Sequence, residues 1–188
     1  MHGSVIWTGL FWAWTASEIA LAISTHTRRS EGAVHDRGSL FVLWAVIAGS
    51  ITASNWALHL LPSADFVAPW VPVIAVALLA AGLVIRWSAI LSLGRFFSVN
   101  VAIQTSQIVY RKGLYRLVRH PSYLGIMVIF LGIGLHLGNW AAVGIMLLLP
   151  AAALLYRIHV EEKALTTAFG IEYQAYCAVT KRLIPGVF

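Results

Sequence analysis

Apolar residues run along the chain in five blocks, near 4–24, 39–61, 71–93, 121–137 and 140–158, with polar breaks between them. Each block is roughly 20 residues long, the length of helix that crosses a bilayer core. Alternating apolar and polar positions are almost absent, so hardly any strand is expected. The pattern therefore predicts five helical spans. The last two are joined by His136-Leu137-Gly138-Asn139, too short for anything but a tight helical hairpin. Pro121 stands at the head of the fourth block, where a first-turn proline loses no hydrogen bond. Beyond 158 the pattern changes. The stretch EEKALTTAFGIEYQAYCAVTKRLIPGVF sets Leu165, Phe169, Tyr173 and Tyr176 at helical spacing among charges, with Gly170 a candidate break. It reads as an amphipathic segment that lies at the interface or forms a lid over the cytosolic mouth.

Composition strengthens the membrane reading. Of 188 residues, 60% are hydrophobic and 11% charged, and the mean hydropathy is +0.81. A soluble domain of this size needs more polar surface. The expected fold is all-α, a polytopic membrane protein forming one domain over 1–188, since no repeat or linker divides it. Met1-His2-Gly3 leads into the first apolar block without a small-residue cleavage site, which reads as an anchor.

The net charge of +6 then has a simple source. Arg28, Arg29 and Arg37 fall between blocks one and two, and Arg95, Arg111, Lys112, Arg116 and Arg119 between blocks three and four. Arg157, Lys163, Lys181 and Arg182 come at or after the end of block five. The loops near 62–70 and 136–139 hold no lysine or arginine. By the positive-inside rule the N-terminus lies outside and the C-terminus in the cytosol, with no call for a nucleic-acid partner. Glu18 and Arg86 lie inside spans, where a charge is costly unless it faces protein or water. Glu18, His59 and Asp65 read first as packing or rim residues. Cys177 is the one cysteine, which excludes an internal disulfide and a CxxC metal site, and no metal site is expected.

Chemistry concentrates at YRLVRHPSYLG, residues 115–125. Pro121 opens a helix there, so Arg119 and His120 sit at a cytosolic helix N-terminus whose free N–H groups favour an anionic or acceptor-rich ligand. Tyr123 follows in the first turn, and Gly125 lets a backbone or a ligand come close. A descent of about 26 Å and a return of about 29 Å bring residues 157–162 back level with 119–123. Arg157 and Glu161, four apart, share a helix face, and Glu162 is beside them. This convergence reads either as the wall of a pocket or as a ring of charges reaching for water.

Three stretches, RWSAILSLGRFFSVNVAI, GLYRLVRHPSYLG and EEKALTTAFGIEYQAYCAVTKRLIP, together resemble the isoprenylcysteine carboxyl methyltransferase family and its phospholipid methyltransferase relatives. The likeness covers about 83–188. It looks like the compact prokaryotic type of member, which implies an inner-membrane location with the active site facing the cytosol. The resemblance implies a methyltransferase using S-adenosylmethionine, with S-adenosylhomocysteine as product, whose cofactor is held in the part from 94 to 188. It implies cofactor contacts by His120, Pro121, Tyr123 and Gly125, joined by Asn100, Arg119 and Tyr173. It further implies roles for the acidic pair Glu161 and Glu162, and for Arg157 as the group that orients a substrate carboxylate, with Arg182 near the substrate.

The reaction implied is carboxyl O-methylation of an isoprenylcysteine-like or other lipophilic acceptor, which needs positioning but no general base. N-methylation of a phospholipid amine is an alternative, and would use Glu161, Glu162 or His120 as base. The scaffold also resembles, distantly, NADPH-dependent reductases of the steroid-reductase type. A non-catalytic membrane scaffold is the fourth reading. No GxGxxG follows a strand, so a Rossmann-type methyltransferase is excluded.

Overall fold

The computed structural model describes residues 2–26, 32–34, 38–104 and 107–188. Arg28, Arg29 and Arg37, assigned above to a cytosolic loop, lie outside the described residues, as does Met1. Five long helices follow one another: α1 (His2–His26), α2 (Ser39–Leu60), α3 (Val71–Leu93), α4 (Pro121–His136) and α5 (Trp140–Phe169). A short α6 (Ile171–Val179) completes the set. Four stretches, Val5–Ser24, Ser39–Leu60, Val71–Phe96 and Trp140–Phe169, are long and apolar enough to cross a membrane, and Pro121–His136 is shorter but equally apolar. Large apolar side chains such as Ile6, Phe41, Trp56, Val73 and Leu148 point outward. Such a surface suits lipid and would be a liability in water. The protein is an integral membrane protein.

Two details depart from the pattern read in the sequence. The fifth helix does not stop at 158 but continues to Phe169, because Glu161, Glu162, Lys163, Ala164 and Leu165 are all strong helix formers. It ends where Gly170 takes a φ of 53° and turns the chain into α6. The second departure is a small antiparallel ribbon of β1 (Gly32–Val34) and β2 (Ala102–Gln104), in the register Ala33 opposite Ile103. It ties the α1–α2 connection to the α3–α4 connection.

Close packing fixes the bundle. α3 lies along α4 because glycines remove the side chains between them: a Cβ on Gly125 would stand 2.8 Å from the Gly82 carbonyl and from the Arg86 amide nitrogen. α2 packs on α5, α5 on α4, and α1 on α3. Trp7, Trp14, Leu43, Ile47, Leu79, Ile129, Phe130, Met146 and Leu154 belong to one core. At the end away from the cations, Asn139 caps α5 by accepting from the Ala142 amide at 3.1 Å. Its side-chain nitrogen donates to Asp65 at 2.6 Å and to the Leu61 carbonyl at 2.9 Å. Asp65 thus closes the loop end of the bundle. The hairpin between α4 and α5 is as tight as expected.

Candidate active site

The register predicted for the hairpin is the one observed. Tyr123 on α4 meets α5 directly: its hydroxyl donates to Glu161 Oε2 at 2.8 Å and accepts from Arg157 Nε at 3.0 Å. The spacing of four between Arg157 and Glu161 lets both reach one hydroxyl. Arg157 is almost wholly buried. Its two terminal nitrogens donate to Ser39 Oγ at 2.9 Å and to the Val99 carbonyl. One guanidinium therefore joins α5, α4, the start of α2 and the segment after α3.

Tyr123, Arg157, Glu161 and Val99 line a cavity of about 150 Å³. At its mouth stand Arg119, His120, Tyr173, Tyr176 and Asn100, with Tyr115 and Val101 behind. Part of its wall is apolar, with Trp14 of α1, Leu43, Trp44 and Ile47 of α2, and Ile126 and Phe130 of α4, alongside Glu18, Arg86 and Ser122. The rings of His120 and Tyr123 stack at 5.5 Å and 11°. The Tyr173 hydroxyl is buried with no hydrogen-bond partner among the described residues beyond a weak interaction with the Cys177 thiol. Burial pushes that phenol well above its ordinary value, so it stays protonated and able to donate. An unsatisfied buried hydroxyl costs about 1–3 kcal/mol, and in a cavity wall it marks a place for an acceptor.

The second acidic residue faces elsewhere. Glu162 Oε1 accepts from Arg119 Nε at 2.7 Å and lies 3.4 Å from His120 Nε2, while Oε2 accepts from Arg182 Nε at 3.0 Å. Glu162 does not line the cavity. Adjacent helical residues diverge by about 100°, so one carboxylate of the pair faces the cavity and the other faces the tail. Arg182 belongs to this knot too, and its guanidinium lies 5.6 Å from the Phe188 ring, not in the cavity. The tail itself runs beside the start of α4, with the Arg119 amide on the Lys181 carbonyl at 2.8 Å and the His120 amide on Arg182 at 3.0 Å. Arg119 also reaches the carbonyls of Cys177, at 3.2 Å, and Thr180.

Pro121 is buried at the first turn of α4 and shapes the site without lining it. Gly125, for which the sequence left backbone or ligand open, serves the backbone of α3. Burial pushes the Cys177 thiol up, away from the thiolate a nucleophile needs.

Sequence reasoning missed two sets of residues at the site. Ser39 lies outside any motif, and Val99, within the first resemblance stretch, enters only through its backbone carbonyl, so only their contact with Arg157 reveals them. Glu18 and Arg86 form a buried ion pair, with Arg86 Nε and Nη2 each 2.5 Å from a Glu18 oxygen. Trp14 Nε1 donates to Glu18 at 3.1 Å, and Arg86 Nη1 donates to Ser122 Oγ at 2.8 Å. The signal was present. Glu18 and Arg86 are opposite charges placed about two turns from the same end of their helices, and pairing is the cheapest answer for both.

Comparison with known proteins now bears on the same segment. The model of the isoprenylcysteine carboxyl methyltransferase (ICMT) family matches residues 74–167. The chain belongs to the ICMT family. Its matched half contains Arg86, the 119–125 turn, Arg157 and both glutamates, whereas Tyr173 and Arg182 lie beyond it. The chain is 34% identical over 104 residues to the protein-S-isoprenylcysteine O-methyltransferase of Schizosaccharomyces pombe, covering 54% of this chain and 44% of that one. It is 28% identical over 120 residues to protein-S-isoprenylcysteine O-methyltransferase A of Arabidopsis thaliana, covering 63% and 61%. The chain thus spans 44% and 61% of the lengths of these relatives. Among solved structures, the eukaryotic intramembrane Ras methyltransferase ICMT superposes with a TM-score of 0.62 at 24% identity, over 76% of this chain and 52% of that one. That likeness concerns the fold. The ICMT scaffold here is the bundle that brings α4, α5 and α6 around one cavity.

Proposed function

We propose that the protein transfers a methyl group from S-adenosylmethionine to the carboxylate of a lipophilic acceptor of the isoprenylcysteine type. Family membership supports the reaction class, and one observation carries the acceptor. Arg157, Tyr123 and Glu161 meet where a polar mouth passes into an apolar branch of the same cavity. An amphiphile fits such a gradient, with its head at Arg157 and its chain beside Trp44 and Ile47. α1 packs on α3 and α2 on α5, so the apolar branch lies between two helices that lean on different partners, and lipid can reach it sideways. We place the mouth in the cytosol because Arg111, Arg119, Lys181 and Arg182 gather at that end while Asp65 and Asn139 close the other.

The residues at the mouth fit the cofactor. Tyr173 offers an unsatisfied donor, Glu161 a carboxylate whose side chain is 31% exposed, and Asn100 a further polar wall. The stacked rings of His120 and Tyr123 offer an aromatic face to a cation or a base. When bound, S-adenosylmethionine supplies a methyl group activated by its sulfonium.

The chain's own part is positioning and electrostatics. A carboxylate is already ionised at neutral pH, so the acceptor needs no proton removed. Arg157 would exchange a neutral acceptor, Ser39 or the Val99 carbonyl, for a charged one, and a charge-assisted hydrogen bond is roughly twice as strong. Tyr123 holds the Arg157 stem and the Glu161 carboxylate in fixed relation. Purified protein given labelled S-adenosylmethionine and a prenylcysteine analogue should form a base-labile methyl ester, and its absence would overturn the reading. A lipid amine is the second acceptor to test, because Glu161 faces the cavity and could take a proton. Its labelled methyl group would survive mild alkali.

A further inference from the structure

The Glu18–Arg86 pair is more than a neutralised charge. Both residues line the cavity, both are buried, and Arg86 spends its remaining amino group on Ser122, the second residue of α4. Ser122 is the neighbour of Tyr123, and α4 has no side chain of its own capping its first turn. That turn is held from outside, by the tail strand on one side and by Arg86 on the other. An apolar pair of similar volume would pack as well or better than a buried ion pair. Stability alone therefore does not account for two charges at this depth.

We propose that Glu18, Arg86 and Ser122 are positioning residues for the site around Tyr123. Glu18 engages Nε and Nη2 of Arg86 and so fixes the plane of the guanidinium, with Trp14 in turn fixing the carboxylate. The plane aims Nη1 at Ser122, and Ser122 sets the roll of the first turn of α4. The roll decides whether the Tyr123 hydroxyl falls between Arg157 and Glu161. By this chain of contacts α1, far from the family's motif residues, becomes part of the site. The proposal rests on the methyltransferase reading for its kinetic consequence but not for its geometry.

The test uses full-length protein in detergent and two readouts. The first is the ¹⁹F spectrum of 3-fluorotyrosine placed at position 123, which reports the hydroxyl's surroundings without any reaction. Ser122→Ala, and the paired replacement Glu18→Leu with Arg86→Met, should both shift or broaden that line, while Ser122→Thr should restore it. The second is turnover, which should fall about tenfold or more in the first two variants, with the thermal midpoint held. An unchanged line and wild-type turnover in the paired replacement would reduce Glu18 and Arg86 to packing and overturn the proposal. No turnover by the wild-type protein would count against the methyltransferase reading alone, since the spectral result would still decide the geometry.

Discussion

Arg157 and Tyr123 meet at 3.0 Å across the α4–α5 crossing, and each is held by partners from other parts of the chain. Arg157→Lys keeps the charge but loses the planar fork that serves three acceptors at once. Turnover should drop by at least about tenfold, while calorimetric binding of S-adenosylmethionine stays near the wild-type value. Equal turnover by the lysine variant would remove Arg157 from the acceptor site.

Tyr173→Phe should separate stability from ligand binding. The buried hydroxyl interacts only weakly with the Cys177 thiol, and an unsatisfied buried hydroxyl costs about 1–3 kcal/mol, so the thermal midpoint should hold or rise when it is deleted. The same change removes a donor from the cavity wall, so cofactor affinity should fall. A variant that is less stable and binds normally would contradict this placement.

Glu162→Gln should loosen the tail. The carboxylate gathers Arg119, His120 and Arg182, and hydrogen bonds to charged groups are worth about 1.5–3 kcal/mol each. Hydrogen exchange of the Arg119 and His120 amides, which pair with Lys181 and Arg182, should speed up. Glu161→Gln should leave those amides protected and weaken ligand binding instead.

Gly125→Ala should destabilise the protein. The added methyl would stand 2.8 Å from backbone atoms of Gly82 and Arg86, with nothing flexible to yield. Overpacking of this kind costs about 1–3 kcal/mol. Gly144→Ala, inside α5 with nothing within 4 Å, is the control and should hold or raise the thermal midpoint, since alanine is the better helix former.

Alkali should act through α6. Burial raises the phenols of Tyr115, Tyr173 and Tyr176, the last to about 12. A phenol whose value rises on folding holds its proton more tightly in the folded state. Its contribution is complete below the unfolded value near 10 and is lost as pH climbs from there toward the folded value. Tyrosinate absorbance should therefore lag behind that of free tyrosine until α6 detaches, with stability falling above about pH 10.

The helices were readable because a bilayer imposes length and hydropathy on each span, and the hairpin register followed from rise per residue alone. That register put Arg157 and Glu161 beside Tyr123. Side-chain direction was not carried through as far: the 100° step between Glu161 and Glu162 already separates them. Ser39, Val99 and the tail's pairing with Arg119 and His120 depend on loops, whose course no periodicity records. The Glu18–Arg86 pair shows a third case, in which depth and sign were both in the sequence but their meeting needed the packing of α1 on α3.

The glycine seam between α3 and α4 divides the molecule mechanically. With backbone against backbone at Gly82 and Gly125, those two helices interlock and cannot slide past one another without collision, and they form a stiff spine. The opposite flank has no such seam at Gly9 or Gly49, and there α1 and α2 each lean on a different neighbour. On the proposed reading, a greasy acceptor would part that flank and leave the spine untouched.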